Sequence, residues 1–136
     1  MGSTIAAFLV RKTMKKDSFE VLVVEDDSMT SNVILEFMTL DEIPVDIAHS
    51  FHDALQKFKM ENYRVVILDN KLGDGEGIAL CELLKAMNPN VKMFLFAGDS
   101  ESVKKKALAL GVSEVLQKPY DLAKLTNLVK TALIEP

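Results

Sequence analysis

The sequence predicts an α/β domain in which a five-stranded parallel sheet carries helices on both faces. Three observations lead there. Short strand-like apolar runs alternate with stretches whose apolar residues recur every three or four positions. The run Val65–Leu68 is apolar without interruption, as a strand covered on both sides requires. The connections are short, which suits alternating βα units and leaves no sign of a repeat, a low-complexity tract or a second domain.

In chain order, a first strand is expected over Glu20–Val24. Asp27 or Ser28 then caps a helix with Val33, Ile34, Phe37, Met38 and Leu40 on its apolar stripe. Pro44–Ala48 reads as a short second strand, and Ser50 caps a helix that turns Phe51, Ala54, Leu55 and Phe58 inward. After the third strand, Gly73, Gly75 and Gly77 break the chain before a helix from Ile78 to about Met87, which Asn88-Pro89 ends. A fourth strand is expected over Val91–Phe96. Ser100 or Ser102 opens the next helix, and Gly111 ends it at the position favoured for a left-handed cap. Val115–Gln117 is the fifth strand, and the last helix begins near Asp121, carrying Leu122, Leu125, Leu128, Val129 and Leu133. Right-handed crossovers leave few topologies for such a chain. The flavodoxin-like order 2-1-3-4-5 places a crevice between strands 1 and 3, at their carboxyl ends.

Acids stand at those two ends. The first apolar run stops at Glu25, Asp26 and Asp27, and the third stops at Asp69. Carboxylates brought together repel, and one takes up a proton unless a cation sits among them. Mg²⁺ suits such a set, since it takes oxygen ligands and keeps waters where the protein offers none. Glu25–Asp27 can instead merely cap the first helix, Asp27 above all, but capping does not account for Asp69. Lys118 follows the fifth strand and precedes Pro119, where a cis bond is far more accessible than elsewhere and would turn the lysine into the crevice. Acids around a metal, with one ammonium nearby, are the parts needed to handle a phosphoryl group.

These residues resemble the receiver domains of bacterial two-component response regulators, over about Phe19 to Ile134. Val23-Val24-Glu25-Asp26-Asp27 is similar to the family's acidic motif after strand 1, Asp69 to its phosphoacceptor, and Lys118-Pro119-Tyr120 to its lysine, proline and aromatic. Leu72-Gly73 through Glu76-Gly77 is similar to the family's loop after the phosphoacceptor. The resemblance implies that Glu25, Asp26, Asp69 and the backbone carbonyl of Lys71 hold Mg²⁺. It also implies that Asp69 and Lys118 are the catalytic pair; at the end of the fourth strand, backbone N–H groups of Ala97 or Gly98 can donate to the phosphoryl oxygens. The implied partners are a histidine kinase or histidine phosphotransfer protein, and a downstream protein met by the face of helix 4, strand 5 and helix 5. The implied chemistry is limited to the domain's own phosphorylation and dephosphorylation, with no other enzymatic activity.

Two family features are missing. Ala97 stands where a threonine or serine is usual, and Val115 where a tyrosine or phenylalanine is usual. The family couples these two, a hydroxyl that moves toward the phosphoryl group and a ring that swings into the vacated space. Three functional classes follow: a phosphorylatable receiver with an atypical switch, a pseudo-receiver that serves as a docking module, and a phosphatase with an aspartyl nucleophile. The third usually wants an acid two residues past the nucleophile, where Lys71 stands. An ion pair between Lys71 and Asp99 across the site's mouth is a further expectation; the alternative is that both are simply solvated.

Bulk properties narrow the field. The chain has 136 residues, 49% hydrophobic and 26% charged, with a formal charge of -4. That balance offers no electrostatic footprint for nucleic acid. Cys81, the one cysteine, cannot form an internal disulfide, and its leucine-rich neighbours place it on a helix face; a reducing, cytoplasmic setting is expected. Ile5–Val10 is too short for a span and lacks the leading charges of a secretory signal, so no membrane insertion is expected. Residues 1–17 read as an N-terminal extension (an extra helix, a tail or a remnant of expression) and residues 18–136 as the receiver domain. Gly73, Gly75 and Gly77 are no dinucleotide fingerprint, for they follow the third strand and Ile78 stands where a further glycine belongs. His49 and His52 read as surface or filler, Met29, Met38, Met60, Met87 and Met93 as core, and Lys104–Lys106 as a solvated helix face.

Overall fold

The computed structural model describes residues 19–135, so the expectation for residues 1–17 lies outside them. Five strands form the sheet: β1 (Val21–Val24), β2 (Val45–Ala48), β3 (Val65–Asp69), β4 (Lys92–Ala97) and β5 (Glu114–Gln117). Among the described residues, five helices accompany them: α1 (Ser28–Leu40), α2 (Phe51–Met60), α3 (Gly77–Met87), α4 (Glu101–Ala109) and α5 (Leu122–Ile134). The strand order is β2-β1-β3-β4-β5, every pair parallel, as predicted. Val24 pairs with Leu68, Asp69 with Phe96 and Ala97 with Gln117, so the carboxyl ends of β1, β3, β4 and β5 share one edge.

Alternation along the strands divides the core in two. Leu22, Val24, Val66, Leu68, Met93 and Leu95 pack with Ala54 and Phe58 of α2, Leu80, Cys81 and Leu84 of α3 and Ala107 of α4. Val21, Val23, Val65, Ile67, Phe94 and Phe96 pack with Ile34 and Met38 of α1 and Leu125, Val129 and Ala132 of α5. Successive strand residues point to opposite faces, and both faces are apolar because both are covered. Cys81 is fully buried among these leucines, and burial pushes its thiol up to about 12, which leaves it inert.

Side-chain caps set the helix starts. Asp27 accepts from the Thr30 N–H, Ser50 from Asp53, Ser100 from Val103 and Asp121 from Lys124. The chain after β3 differs from expectation: Lys71–Leu72 and Gly75–Glu76 form a two-stranded antiparallel ribbon, and α3 begins at Gly77. A Cβ at Gly77 would lie 2.2 Å from the Asp69 carbonyl oxygen, so only glycine lets this helix start against the end of β3. Asp74, in the ribbon's turn, accepts the backbone N–H groups of Phe51 and His52 at 2.7 and 3.0 Å, which hold its carboxyl below the usual range.

The apolar stripe of α1 is narrower than predicted. Val33 and Leu40 are exposed, while Ser31, Ile34 and Met38 face the core with Leu35 partly packed. Positions three and four apart share a helix face, and Val33 and Leu40 fall off the arc that Ile34 and Met38 define. Met38 and Met93 are core as expected, but Met29, Met60 and Met87 are exposed. His49 and His52 are both exposed.

Candidate functional site

Glu25 extends the β1 ladder by one bond, its N–H donating to the Ala48 carbonyl at 3.0 Å. This carries its side chain, almost wholly buried, to the rim of the crevice. Both carboxylate oxygens are engaged: Oε1 accepts the Tyr120 hydroxyl at 2.6 Å and Oε2 accepts the Asp27 N–H at 3.2 Å. Asp26, next in the chain, is exposed, and Asp27 caps α1. Across the sheet, Asp69 is buried at the end of β3. Its Oδ2 accepts from the Lys118 ammonium at 2.8 Å, and its Oδ1 from the Lys71 N–H at 3.4 Å. One oxygen from each of Glu25, Asp26 and Asp69 lies within 4.8 Å of the others.

The charges explain one another. Burial raises the Glu25 carboxyl above its ordinary value, and the nearby Asp69 and Asp26 carboxyls add to this; the Tyr120 hydroxyl and Asp27 N–H pull the other way. Burial pulls the Lys118 ammonium down, but the hydrogen bond and charge of Asp69, with Glu25 and Asp26 behind it, leave it raised. Lys118 is therefore a firmly protonated cation facing an anionic pocket. The Lys118–Pro119 peptide is cis, and the lysine reaches Asp69 as the sequence suggested. Mg²⁺ takes oxygen ligands in an octahedral shell, and three carboxylates gathered this closely are a donor set that suits such a hard divalent ion.

Other expected residues fall as follows. Ala97, at the end of β4, is buried and has no hydroxyl to offer, and Gly98 beyond it is exposed with open space about its Cα. Val115 faces the α4 side of the sheet, half-buried. A hollow of ≈ 400 Å³ adjoins it, bordered by Phe96, Lys104, Gln117 and Lys124. The ion pair raised for Lys71 and Asp99 is not formed among the described residues, and both side chains are exposed, as its alternative has them. Pairing of Ala97 with Gln117 brings the Gln117 amide beside Asp99, and its Nε2 donates to Oδ1 at 3.0 Å. Lys71 points to solvent and contributes its backbone.

Sequence reasoning missed the Tyr120 hydroxyl. The motif marks the residue only as an aromatic after proline, although a tyrosine there carries a donor that a phenylalanine would lack. Its ring packs on Phe96, centroids 4.2 Å apart, and its hydroxyl is raised by burial and by the Glu25 carboxylate it bonds.

Known proteins resemble this chain in sequence and in fold. The family model for the response regulator receiver domain matches residues 21–130. The transcriptional regulatory protein ZraR of Salmonella typhimurium is 28% identical over 121 residues, 88% of this chain and 27% of its own length. A cyclic di-GMP phosphodiesterase of Thermotoga maritima is 30% identical over 114 residues, 83% of this chain and 30% of its own. The chain thus spans about a quarter to a third of these curated relatives. Among solved structures, a CheY-like receiver domain protein of Methanospirillum hungatei superposes with a TM-score of 0.81 at 24% identity, covering 86% of this chain and 94% of that one. A Francisella response regulator receiver domain gives a TM-score of 0.77 at 26% identity, covering 82% and 93%.

Proposed function

The chain belongs to the response regulator receiver domain family, and from that premise we propose that Asp69 is its phosphoacceptor. One observation carries the reading: carboxylate oxygens of Glu25, Asp26 and Asp69 within 4.8 Å of one another, opposed by Lys118 at 2.8 Å from Asp69. The donor is a phosphohistidine on a histidine kinase or histidine phosphotransfer protein. An Asp69 oxygen attacks the phosphorus and the P–N bond breaks. The electron pair stays on the imidazole nitrogen, which takes up a proton.

Glu25, Asp26, Asp69 and the Lys71 carbonyl would hold Mg²⁺, which would supply neutralisation of phosphoryl charge. Lys118 shifts its ammonium from the Asp69 carboxylate to a second oxygen, and a backbone N–H of Ala97 or Gly98 serves the third. The chain acts on no other substrate. It signals from the cytoplasm by contact with a downstream protein through α4, β5 and α5. No described helix is long and apolar enough to cross a membrane. Residues 18–136 constitute the receiver domain, and residues 1–17 an extension to it.

A second reading rests on Ala97 and Val115. Without hydroxyl and ring, phosphorylation is weakly coupled to the surface, and the domain serves as a docking module. Mg²⁺ with acetyl phosphate, and Mg²⁺ with beryllofluoride followed by amide NMR, separate the two. Labelling of Asp69 with movement at α4, β5 and α5 establishes a switch; labelling without movement favours docking. No labelling from acetyl phosphate or a cognate kinase removes the phosphoacceptor itself.

A further inference from the structure

Tyr120 joins the acidic site to the start of α5. Its hydroxyl donates to Glu25 Oε1 at 2.6 Å, and its ring lies against Phe96 at an interplanar angle of 55°. Phe96 is buried at the end of β4, where it pairs with Asp69. The next residue after Tyr120 is Asp121, the cap of α5. One side chain therefore touches the acid after β1 and the strand beside Asp69, and the same residue leads directly into a helix.

The hydroxyl has a definite task. Glu25 is nearly fully buried, and a buried carboxylate with an unfilled oxygen bears an uncompensated desolvation cost. Oε2 is held by the Asp27 N–H, so Tyr120 supplies the second fixed point. A carboxylate held at both oxygens cannot rotate freely, and it presents its remaining lone pairs in one direction. Hydrogen bonds of this kind orient ligating carboxylates, and their loss typically weakens metal binding about 10- to 100-fold. A phenylalanine would pack on Phe96 as well as Tyr120 does, but it would leave Oε1 without this donor.

We propose that Tyr120 is a positioning residue for the acidic site: its hydroxyl aims Glu25 at a divalent cation and transmits the cation's arrival to the first turn of α5. This rests on the metal-binding reading of Glu25, Asp26 and Asp69. It assigns to Tyr120 a coupling role that Ala97 and Val115 have no side-chain groups to fill.

The test compares the full chain with Tyr120→Phe, using Mg²⁺ alone as the probe. Calorimetry is expected to show Mg²⁺ binding about tenfold or more weaker in the variant. Labelling by acetyl phosphate is expected to recover once Mg²⁺ is saturating, so the defect lies in affinity rather than in the transfer step. In the wild type, Mg²⁺ shifts the Tyr120 ring resonances and the amides of Leu122–Lys124; in the saturated variant those amides stay still. Equal Mg²⁺ affinity in the two proteins overturns the inference, as does a wild type whose Tyr120 resonances ignore Mg²⁺, a readout that stands even if the variant folds poorly. A wild type that binds no Mg²⁺ brings down the metal reading itself, a result distinct from either.

Discussion

The crevice has two sides, and they are built to different standards. On the β1 and β3 side, Glu25 and Asp69 are buried, hydrogen-bonded and accompanied by Asp26, with Lys118 reaching across to Asp69. On the β4 and β5 side, Ala97 offers no hydroxyl and Val115 no aromatic ring, and a hollow of ≈ 400 Å³ borders Val115. Accepting a phosphoryl group and reporting it are separate physical tasks. The first needs charge held at short range; the second needs an element with two packings of similar energy. On the proposed reading, this chain carries the groups for the first and, at Ala97 and Val115, neither hydroxyl nor ring for the second.

The largest expected effect tests the first side. Asp69→Asn removes the attacking carboxylate while keeping its shape, and phosphoryl labelling from acetyl phosphate with Mg²⁺ should fall at least ~100-fold. Mass spectrometry of the intact protein measures it. Persistent labelling at the wild-type rate would move the phosphoacceptor elsewhere and dissolve the contrast between the sides.

Next comes repair of the second side. Ala97→Thr with Val115→Tyr restores the hydroxyl and gives the ring a hollow to enter. A hydrogen bond to a charged group is worth about 1.5–3 kcal/mol, or roughly ten- to hundredfold in a differential interaction. Amide shifts across α4, β5 and α5 on adding beryllofluoride should grow in the double variant relative to wild type. Shifts already as large in the wild type would show that another route, such as Tyr120, carries the coupling.

Proton and metal compete on the first side. Glu25 has a folded-state pKa raised by burial, above the ordinary 4.5. In the metal-free protein its proton therefore favours the fold: the contribution is full below the unfolded value and is lost as pH rises through the folded one. Mg²⁺ needs the ionised form, so its stabilisation runs the opposite way, growing as that proton leaves. Thermal melts should show a larger Mg²⁺-induced gain in Tm at about pH 8 than at about pH 5. An equal gain at both would mean that Glu25 takes no part in holding the ion.

Much of this was legible in the chain because the governing signals are local. Acids that end apolar runs at Glu25 and Asp69, and a lysine before Pro119, mark the site once strand order is fixed by crossover handedness. The Glu25–Tyr120 bond spans 95 positions and leaves no local trace except the choice of tyrosine over phenylalanine. The Gln117–Asp99 bond likewise depends on β4–β5 register, which charge pairing of Lys71 with Asp99 could not foresee. On α1, Val33 and Leu40 fitted a helical period as well as Ile34 and Met38 did, and only packing against α5 and β2 sets which arc is inside.

The ends of α1 and α4 give the smallest and most local test, again through two regions with one geometry. Each helix closes with the same pair of bonds: Glu42 N–H to Thr39 and Ile43 N–H to Met38 in one, Gly111 N–H to Leu108 and Val112 N–H to Ala107 in the other. Both closures need a left-handed residue, and Gly111 at φ 95° adopts it freely where Glu42 at φ 59° is strained. The Glu42 Oε1 atom is also buried without a hydrogen-bond partner among the described residues. Gly111 announced its helix end in the sequence; Glu42 gave no such notice. Glu42→Gly should therefore stabilise the fold by about 1 kcal/mol in urea melts, and Gly111→Ala should destabilise it by about as much. The two sites lie at the ends of helices on opposite faces of the sheet, so the changes should also add in the double variant. A Glu42→Gly protein no more stable than wild type would mean that the glutamate side chain makes compensating contacts, and that the two closures are alike in backbone only.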